Sequence, residues 1–476
     1  MKKPFYITTP IFYPNGFLHM GHAYVTTLCD VLARYHRLSG DQTYFLTGAD
    51  ENTEKVVRAA KAVGKDPKIY LDEIVKSFRD LFDSFEISYD QFIRTSDEKV
   101  HWPGAQEVWK RLVASGDIEK RSYEGLYCQG HEAFVTEKDL VDGKCPDHGE
   151  APVLLREENY FFKLSKYTKQ VKDKIEKGEI EIVPQSRRNE ILALLERGLE
   201  DVSFSRPADK MSVGIPVPGD PSQKIYVWCD ALVNYISALG FGRADQTLFD
   251  TFWSGVTHVI GKDILRFHAA IWPAMLMSAG LPVPRRILVH GLIISGGKKM
   301  SKSLGNVIDP LALSHEYGVE PVRYYLARYI SPFEDGEMTL DSFKSAYNAD
   351  LANGLGNLVS RVMRMASTHL SASANVSTVS IPAEYAAAFE RFDIQAAAGV
   401  ITKAIAEADQ TIQEKAPFKL VKTDKEAAVK IIANLCTRLF AIGKMLEPIM
   451  PQTAVTIQTL VRENKMPDAP LFLRKE

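Results

Sequence analysis

From the start of the chain to about Gly116, β-prone runs alternate with helical ones, and that alternation admits few folds. Phe5-Tyr6-Ile7-Thr8-Thr9 and Gln42-Thr43-Tyr44-Phe45-Leu46-Thr47 read as strands, whereas Tyr24, Leu28, Val31, Leu32 and Tyr35 recur at helical spacing, as do residues 54–63 and 69–85. Strands separated by helices pair in parallel. The pattern changes between about Asp117 and Lys224, resumes with Ile225-Tyr226-Val227-Trp228 and His258-Val259-Ile260-Gly261, and reaches residues 287–289. After about Leu340 strand signals vanish, and amphipathic, alanine-rich patterns over residues 346–366, 386–414 and 425–445 predict helices, with a polar loop at 371–380.

The expected fold is therefore α/β. A Rossmann-like parallel-sheet domain (residues 1–116 and 225–290) is split by an insertion (117–224), then followed by a lysine-bearing region (291–345) and an all-α domain (346–476). With 45% hydrophobic and 25% charged residues the chain reads as globular and soluble. Its formal net charge of −2 gives no overall basic footprint, so a nucleic acid would be met by local basic patches. Pro10, Pro14, Asn15 and His19 interrupt any apolar leader, and no run reaches membrane-spanning length. Five cysteines are an odd, sparse set, which favours a reducing cytoplasm and metal binding over disulfides.

Two segments carry the chemistry. His19-Met20-Gly21-His22 opens a helical pattern, and a helix N-terminus attracts phosphate through its free N–H groups and dipole. Alone it also reads as a turn with surface histidines. Lys299-Met300-Ser301-Lys302-Ser303 sits among Gly296, Gly297 and Gly305, and so reads as a mobile loop able to close two ammonium groups over a pyrophosphate. The rule that ligands bind beyond the carboxyl ends of parallel strands can bring His19, Asp50, Gly261 and Lys299 to one nucleotide.

With Tyr13-Pro14-Asn15-Gly16, Thr47-Gly48-Ala49-Asp50-Glu51, Tyr226-Val227-Trp228-Cys229-Asp230-Ala231, Gly261-Lys262-Asp263 and Trp272-Pro273-Ala274 in the same order, nearly the whole chain resembles the methionyl-tRNA synthetase family of class I aminoacyl-tRNA synthetases. The resemblance implies ATP-dependent activation of L-methionine and transfer to tRNA(Met), with Mg2+ accompanying ATP. It implies phosphate stabilisation by His19, His22, Lys299 and Lys302, and nucleotide contacts from Gly21, Gly261, Asp263, Met300 and Ser301. Asp263 could equally cap the helix that follows it.

A methionine site needs a carboxylate for the ammonium and apolar walls for the thioether. The resemblance places Asp50 in the first role and Ile11, Tyr13, Trp228, Leu232, Tyr235, Ile264, His268 and Trp272 in the second. By spacing alone the three largest of these are also core positions. Leu232 stands where some members carry proline.

Cys128-Gln129-Gly130-His131 and Cys145-Pro146-Asp147-His148 are two Cys-x-x-His pairs that offer four ligands to a structural Zn2+, the other reading being a metal-free turn with partly exposed thiols. In the helical domain the resemblance makes Asn357 and Arg361 anticodon readers, with Phe418 in place of a common tryptophan. Two other readings are a catalytically silent tRNA-binding paralogue and a synthetase for leucine, isoleucine or valine. The intact His19, His22, Asp50, Lys299 and Lys302 oppose the first, and the lack of room for a long editing insertion opposes the second. A monomer is expected from the absence of an appended dimerising module after the helices.

Overall fold

The computed structural model describes residues 3–130, 133–146, 149–300, 307–377 and 379–476. It forms two compact units, one of Met1–Phe17, Asp41–Arg79 and Tyr89–Val289, the other of Leu18–Gly40, Asp80–Ser88 and His290–Glu476. No described helix is long and apolar enough to cross a membrane.

The first unit is built on a six-stranded sheet in the order Gln91–Arg94, Gln42–Ala49, Pro4–Phe12, Val256–Gly261, Arg286–His290, Glu181–Val183. Pro4–Phe12 pairs in parallel with Gln42–Ala49 on one side and Val256–Gly261 on the other. The chain thus runs outward in opposite directions from its first strand, which makes the carboxyl ends of these central strands the switch point where an open α/β sheet forms its crevice. Ile11, Tyr13, Asp50 and Gly261 all lie at or just past those ends.

Between the two halves of this sheet the chain builds smaller antiparallel sheets. One has four strands, ordered Ala133–Val135, Ile118–Cys128, Val153–Phe162 and Val202–Ser203; the other has three, Pro216–Val217, Asp220–Ile225 and Ser205–Pro207. Exposed and partly buried positions alternate from Lys120 to Gly125 within Ile118–Cys128, as one-sided burial of an antiparallel strand produces.

The second unit holds the helix Met20–Leu38 and the helices between Pro310 and Glu463. Met20–Leu38 is buried continuously from Ala23 to Ala33, so Leu28, Val31 and Leu32 are core residues whose truncation to alanine costs about 2–5 kcal/mol each where leucine is lost. Within it Asp30 is fully buried and accepts from Arg323 Nη2 (2.6 Å) and Arg34 Nε (2.7 Å), while Arg323 also donates to the carbonyls of Phe85, Pro448 and Ile449. Removing one partner of such a pair strands a buried charge.

Three expectations change here. Ile225-Tyr226-Val227-Trp228, expected to resume the parallel pattern, instead ends the antiparallel strand Asp220–Ile225 and opens the helix Val227–Ala231. The helix expected over residues 386–414 is two helices, Ala383–Glu390 and Ile394–Lys415, because Phe392 adopts a left-handed φ of 61° and the Asp393 side chain caps the second by accepting from Ala396 N. The Lys299 segment does not begin as a loop. Lys298–Lys299 pairs antiparallel with Ile293–Ser295 across Gly296 and Gly297, whose φ values of 63° and 69° are those of a two-residue hairpin turn.

Candidate active site

In the first unit the apolar wall is one packed cluster. Leu232, Tyr235 and Trp272 are buried within the core, and Ile11, Trp228, Ile264 and Phe267 pack against it. Trp228 stacks on Phe267 with ring centroids 3.5 Å apart and planes 11° from parallel. Tyr13 belongs to a smaller cluster with Trp228, and the Lys55 ammonium lies 4.1 Å from its ring centre.

Two imidazoles close this wall, and their hydrogen bonds define their tautomers. Around His268, Nδ1 lies 3.0 Å from the Ile264 carbonyl and Nε2 2.8 Å from Tyr235 Oη. A neutral ring that donates from Nδ1 to the carbonyl accepts the tyrosine hydroxyl at Nε2. Around His258, Trp272 Nε1 donates to Nε2 at 3.3 Å, which leaves Nδ1 to donate to Thr8 Oγ1 at 2.9 Å. Burial lowers both imidazoles, His268 to about 4.

A histidine lowered in the folded state takes up a proton on unfolding, so stability is lost as pH falls from about 6.5 toward about 4. Replacing His268 with glutamine is expected to flatten that part of the melting-temperature profile; an unchanged slope contradicts the assignment.

Asp50 follows Gln42–Ala49, is 3% exposed, and donates its backbone N–H to the Phe12 carbonyl at 2.9 Å. That bond aligns the carboxyl ends of the two central strands. Next to it Glu51 is buried against Arg94, with Nε to Oε1 at 2.6 Å.

In the second unit His19 is the N-cap of Met20–Leu38. Its Nδ1 accepts from Gly21 N at 3.0 Å, and His22 Nδ1 accepts from His19 N at 3.1 Å, a capping box made of two imidazoles. With both Nδ1 atoms accepting, each neutral ring carries its proton on Nε2. Burial, and next the His19 ring 4.0 Å away, hold His22 well below the usual imidazole range. Gly21 is required locally, since a Cβ there would sit 2.9 Å from His19 Cε1. On the Lys298–Lys299 hairpin, Glu337 accepts from Gly296 N at 2.6 Å and Gly297 N at 3.3 Å, which pins the turn. Met300 is buried, while Ser301 and Lys302 lie outside the described residues.

The model for the class I tRNA synthetases of type M matches residues 5–152 and 139–363. A methionine–tRNA ligase of Clostridium perfringens is 43% identical over 472 residues, covering 96% of this chain and 73% of that protein; one from Caldanaerobacter subterraneus is 41% identical, covering 95% and 73%. The chain belongs to the class I methionine–tRNA ligase family. Among solved structures, Mycobacterium tuberculosis methionyl-tRNA synthetase in complex with methionyl-adenylate superposes with a TM-score of 0.89 at 36% identity, over 96% of this chain and 94% of that one. Its free form gives 0.84 at 32% identity, over 100% and 99%.

The remaining positions singled out by the family resemblance stand as follows. Gly261 ends its strand and is buried, and Asp263 is exposed. Cys128 and Cys145 are both buried; Cys128 pairs antiparallel with Ala133, and Cys145 N donates to the Glu150 carbonyl at 2.9 Å. His131 and His148 lie outside the described residues, and among those described no group of three or more metal-ligating side chains is assembled. Asn357 begins the helix Asn357–His369 and is exposed; Arg361, half-buried, pairs with Asp409; Phe418 is 46% exposed.

Several residues of the wall carried no signal of their own. His258 follows Thr257 as a second polar letter inside the strand Val256–Gly261, and only the fold shows it buried against Trp272. Phe267 sits beside the expected His268, yet its stacking on Trp228 depends on an irregular, π-helical turn over Phe267–Ile271.

Proposed function

We propose that the chain forms methionyl-adenylate from L-methionine and Mg-ATP and then methionylates tRNA(Met), with the residues above in the following roles. A methionine carboxylate oxygen attacks the α-phosphorus, and the bond to pyrophosphate breaks. A ribose hydroxyl at the tRNA 3′ end then attacks the acyl carbon and AMP leaves. Such chemistry needs positioning and charge stabilisation rather than a covalent nucleophile. Asp50 holds the substrate ammonium, and the cluster around Trp228, Tyr235, His268 and Trp272 takes the thioether. His19 and His22 donate Nε2–H to phosphate oxygens, Lys299 and Lys302 neutralise the departing pyrophosphate, and Gly261 and Asp263 meet the nucleoside. Mg2+ would offset phosphate charge.

The observation that carries this reading is that one unit holds both a buried carboxylate just past the carboxyl end of Gln42–Ala49 and a packed aromatic cluster against which Ile11, near the end of the adjoining strand Pro4–Phe12, is seated. With α-labelled ATP and methionine, labelled methionyl-adenylate should accumulate on the enzyme, and adding tRNA(Met) should release the label as AMP. No methionine-dependent adenylate would overturn the reading.

Arg361, with Asn357 four residues before it on one helix, is assigned to the anticodon. Arg361→Ala is expected to lower methionylation of tRNA by at least about tenfold while leaving adenylate formation nearly intact. Equal loss of both would remove the assignment.

The buried thiols of Cys128 and Cys145, each three residues before a histidine in sequence, suit a zinc knuckle completed by His131 and His148. A metal there would tie the two pairs together without entering the reaction. Freshly purified protein should contain stoichiometric zinc and lose it on Cys145→Ser; zinc-free, fully folded protein would contradict this.

A further inference from the structure

A chain of buried polar side chains in the first unit has no part in the roles assigned so far. Asn52 Nδ2 donates to the Thr95 carbonyl at 2.9 Å and to Asp230 Oδ2 at 2.7 Å. The other carboxylate oxygen of Asp230 meets His101 Nε2 at 2.5 Å, and His101 Nδ1 lies 2.8 Å from Ser237 Oγ. Asn52, Thr95, His101, Asp230 and Ser237 are each no more than 3% exposed. For stability alone, apolar side chains of similar volume would serve as well or better, because each buried polar group must recover its lost hydration.

The spacing of the chain's members points to what it does. Asn52 lies two residues after Asp50, Asp230 lies midway between Trp228 and Leu232, and Ser237 lies two residues after Tyr235. Asn52, Asp230 and Ser237 are thus each anchored two residues from a residue assigned to the amino acid, while none is itself assigned to it. The Asn52–Asp230 bond joins segments 178 residues apart in sequence, one carrying the carboxylate and the other the wall. Both Nδ2 protons of Asn52 are used, and Glu51 N donates to Thr95 Oγ1 at 2.8 Å, so the segment after Asp50 is held on two sides. His101, at the N-terminus of the helix Trp102–Ala114, closes the chain from a third element.

We propose that Asn52, Asp230, His101 and Ser237 are positioning residues that fix the distance between the ammonium-accepting Asp50 and the wall formed by Trp228, Leu232 and Tyr235. This rests on the assignment of Asp50 and that wall to methionine. The chain acts as a spacer, so that the amine and the thioether of one substrate are satisfied together. Breaking it lets the two halves drift and weakens selection for a ligand that bridges both, and misplacement of this kind falls on substrate affinity.

The test uses the full chain in methionine-dependent pyrophosphate exchange, with the amine-free analogue 4-(methylthio)butanoate as a competitive probe. Asn52→Ala and Asp230→Ala are expected to raise the KM for methionine about tenfold or more, with KM for ATP and kcat within about threefold of the parent. The advantage of methionine over the amine-free analogue should shrink by a similar factor. Asp230→Asn is expected to stay close to the parent, because its amide oxygen can still accept from Asn52 while its NH2 donates to a tautomerically reversed His101. That rescue is one a purely structural loss would not show. If Asp230→Ala fails to fold, Asn52→Ala and Asn52→Ser decide the matter.

An unchanged methionine KM in folded Asn52→Ala, or an equal rise in the KM values for methionine and ATP, overturns the proposal. Asp50→Ala separates the two levels. If it too leaves the advantage of methionine over the analogue intact, the assignment of Asp50 fails; if it abolishes that advantage while Asn52→Ala does not, only the spacer fails.

Discussion

Asp50→Ala is expected to raise the KM for methionine in pyrophosphate exchange by about two orders of magnitude, with a much smaller effect on the KM for ATP. A carboxylate 3% exposed at the end of Gln42–Ala49, with its backbone tied to the Phe12 carbonyl, meets an ammonium group in a setting where water competes poorly. Asp50→Asn keeps the shape and two hydrogen-bonding atoms but removes the charge, so its loss should fall between that of alanine and the parent. The amine-free analogue supplies the complementary measurement. It should bind Asp50→Ala no worse than it binds the parent, because it has no ammonium group to lose. If the variant lost both ligands equally, the carboxylate would be supporting the fold of the strand ends rather than holding the substrate.

The second large effect is expected at the helix N-terminus. His22→Asn should lower kcat for adenylate formation by about 100- to 1000-fold while changing the methionine KM little. The reasoning separates the two nitrogens of the ring. Nδ1 accepts the backbone N–H of His19, a structural bond that an asparagine side chain at the third helical position can keep. Nε2–H is the donor assigned to phosphate, and the shorter side chain cannot replace it. The melting temperature should therefore stay near that of the parent while the rate falls. Lys302→Ala should act in the same direction, lowering adenylate formation far more than methionine affinity. If His22→Asn raised the methionine KM and left kcat unchanged, the imidazole would belong to the amino acid side of the reaction.

The sequence made the central strands of the first unit legible because parallel strands buried on both faces leave largely apolar runs such as Phe5-Tyr6-Ile7 and Val259-Ile260, whereas the short edge strands Gln91–Arg94 and Glu181–Val183 left no such run. The start of Met20–Leu38 was legible from the periodicity that follows His19, although the reason for Gly21 was not: the glycine is needed because the His19 ring folds back over it. The break at Phe392 was hidden, since alanine-rich periodicity runs through it and only the left-handed backbone and the Asp393 cap divide the helices. Gly296 and Gly297 were read as loop punctuation, whereas two consecutive glycines of positive φ also make the tightest hairpin turn. At the wall, Trp228, Tyr235 and Trp272 carried the spacing of core residues, and Tyr235 and Trp272 are indeed buried in the core as well as candidates for the substrate surface. The Asn52–Asp230–His101 chain left no trace in the sequence. Each member is a single polar residue in a different segment, and only the fold brings them within hydrogen-bonding distance.

The most direct measurement is the exchange of labelled pyrophosphate into ATP by the full chain, run with each standard amino acid in turn. Methionine should support exchange, and leucine, isoleucine and valine should support almost none, as expected of a chain of the methionine–tRNA ligase family whose proposed pocket takes a thioether. Exchange supported equally or better by one of those three, or by no amino acid at all, would contradict the account.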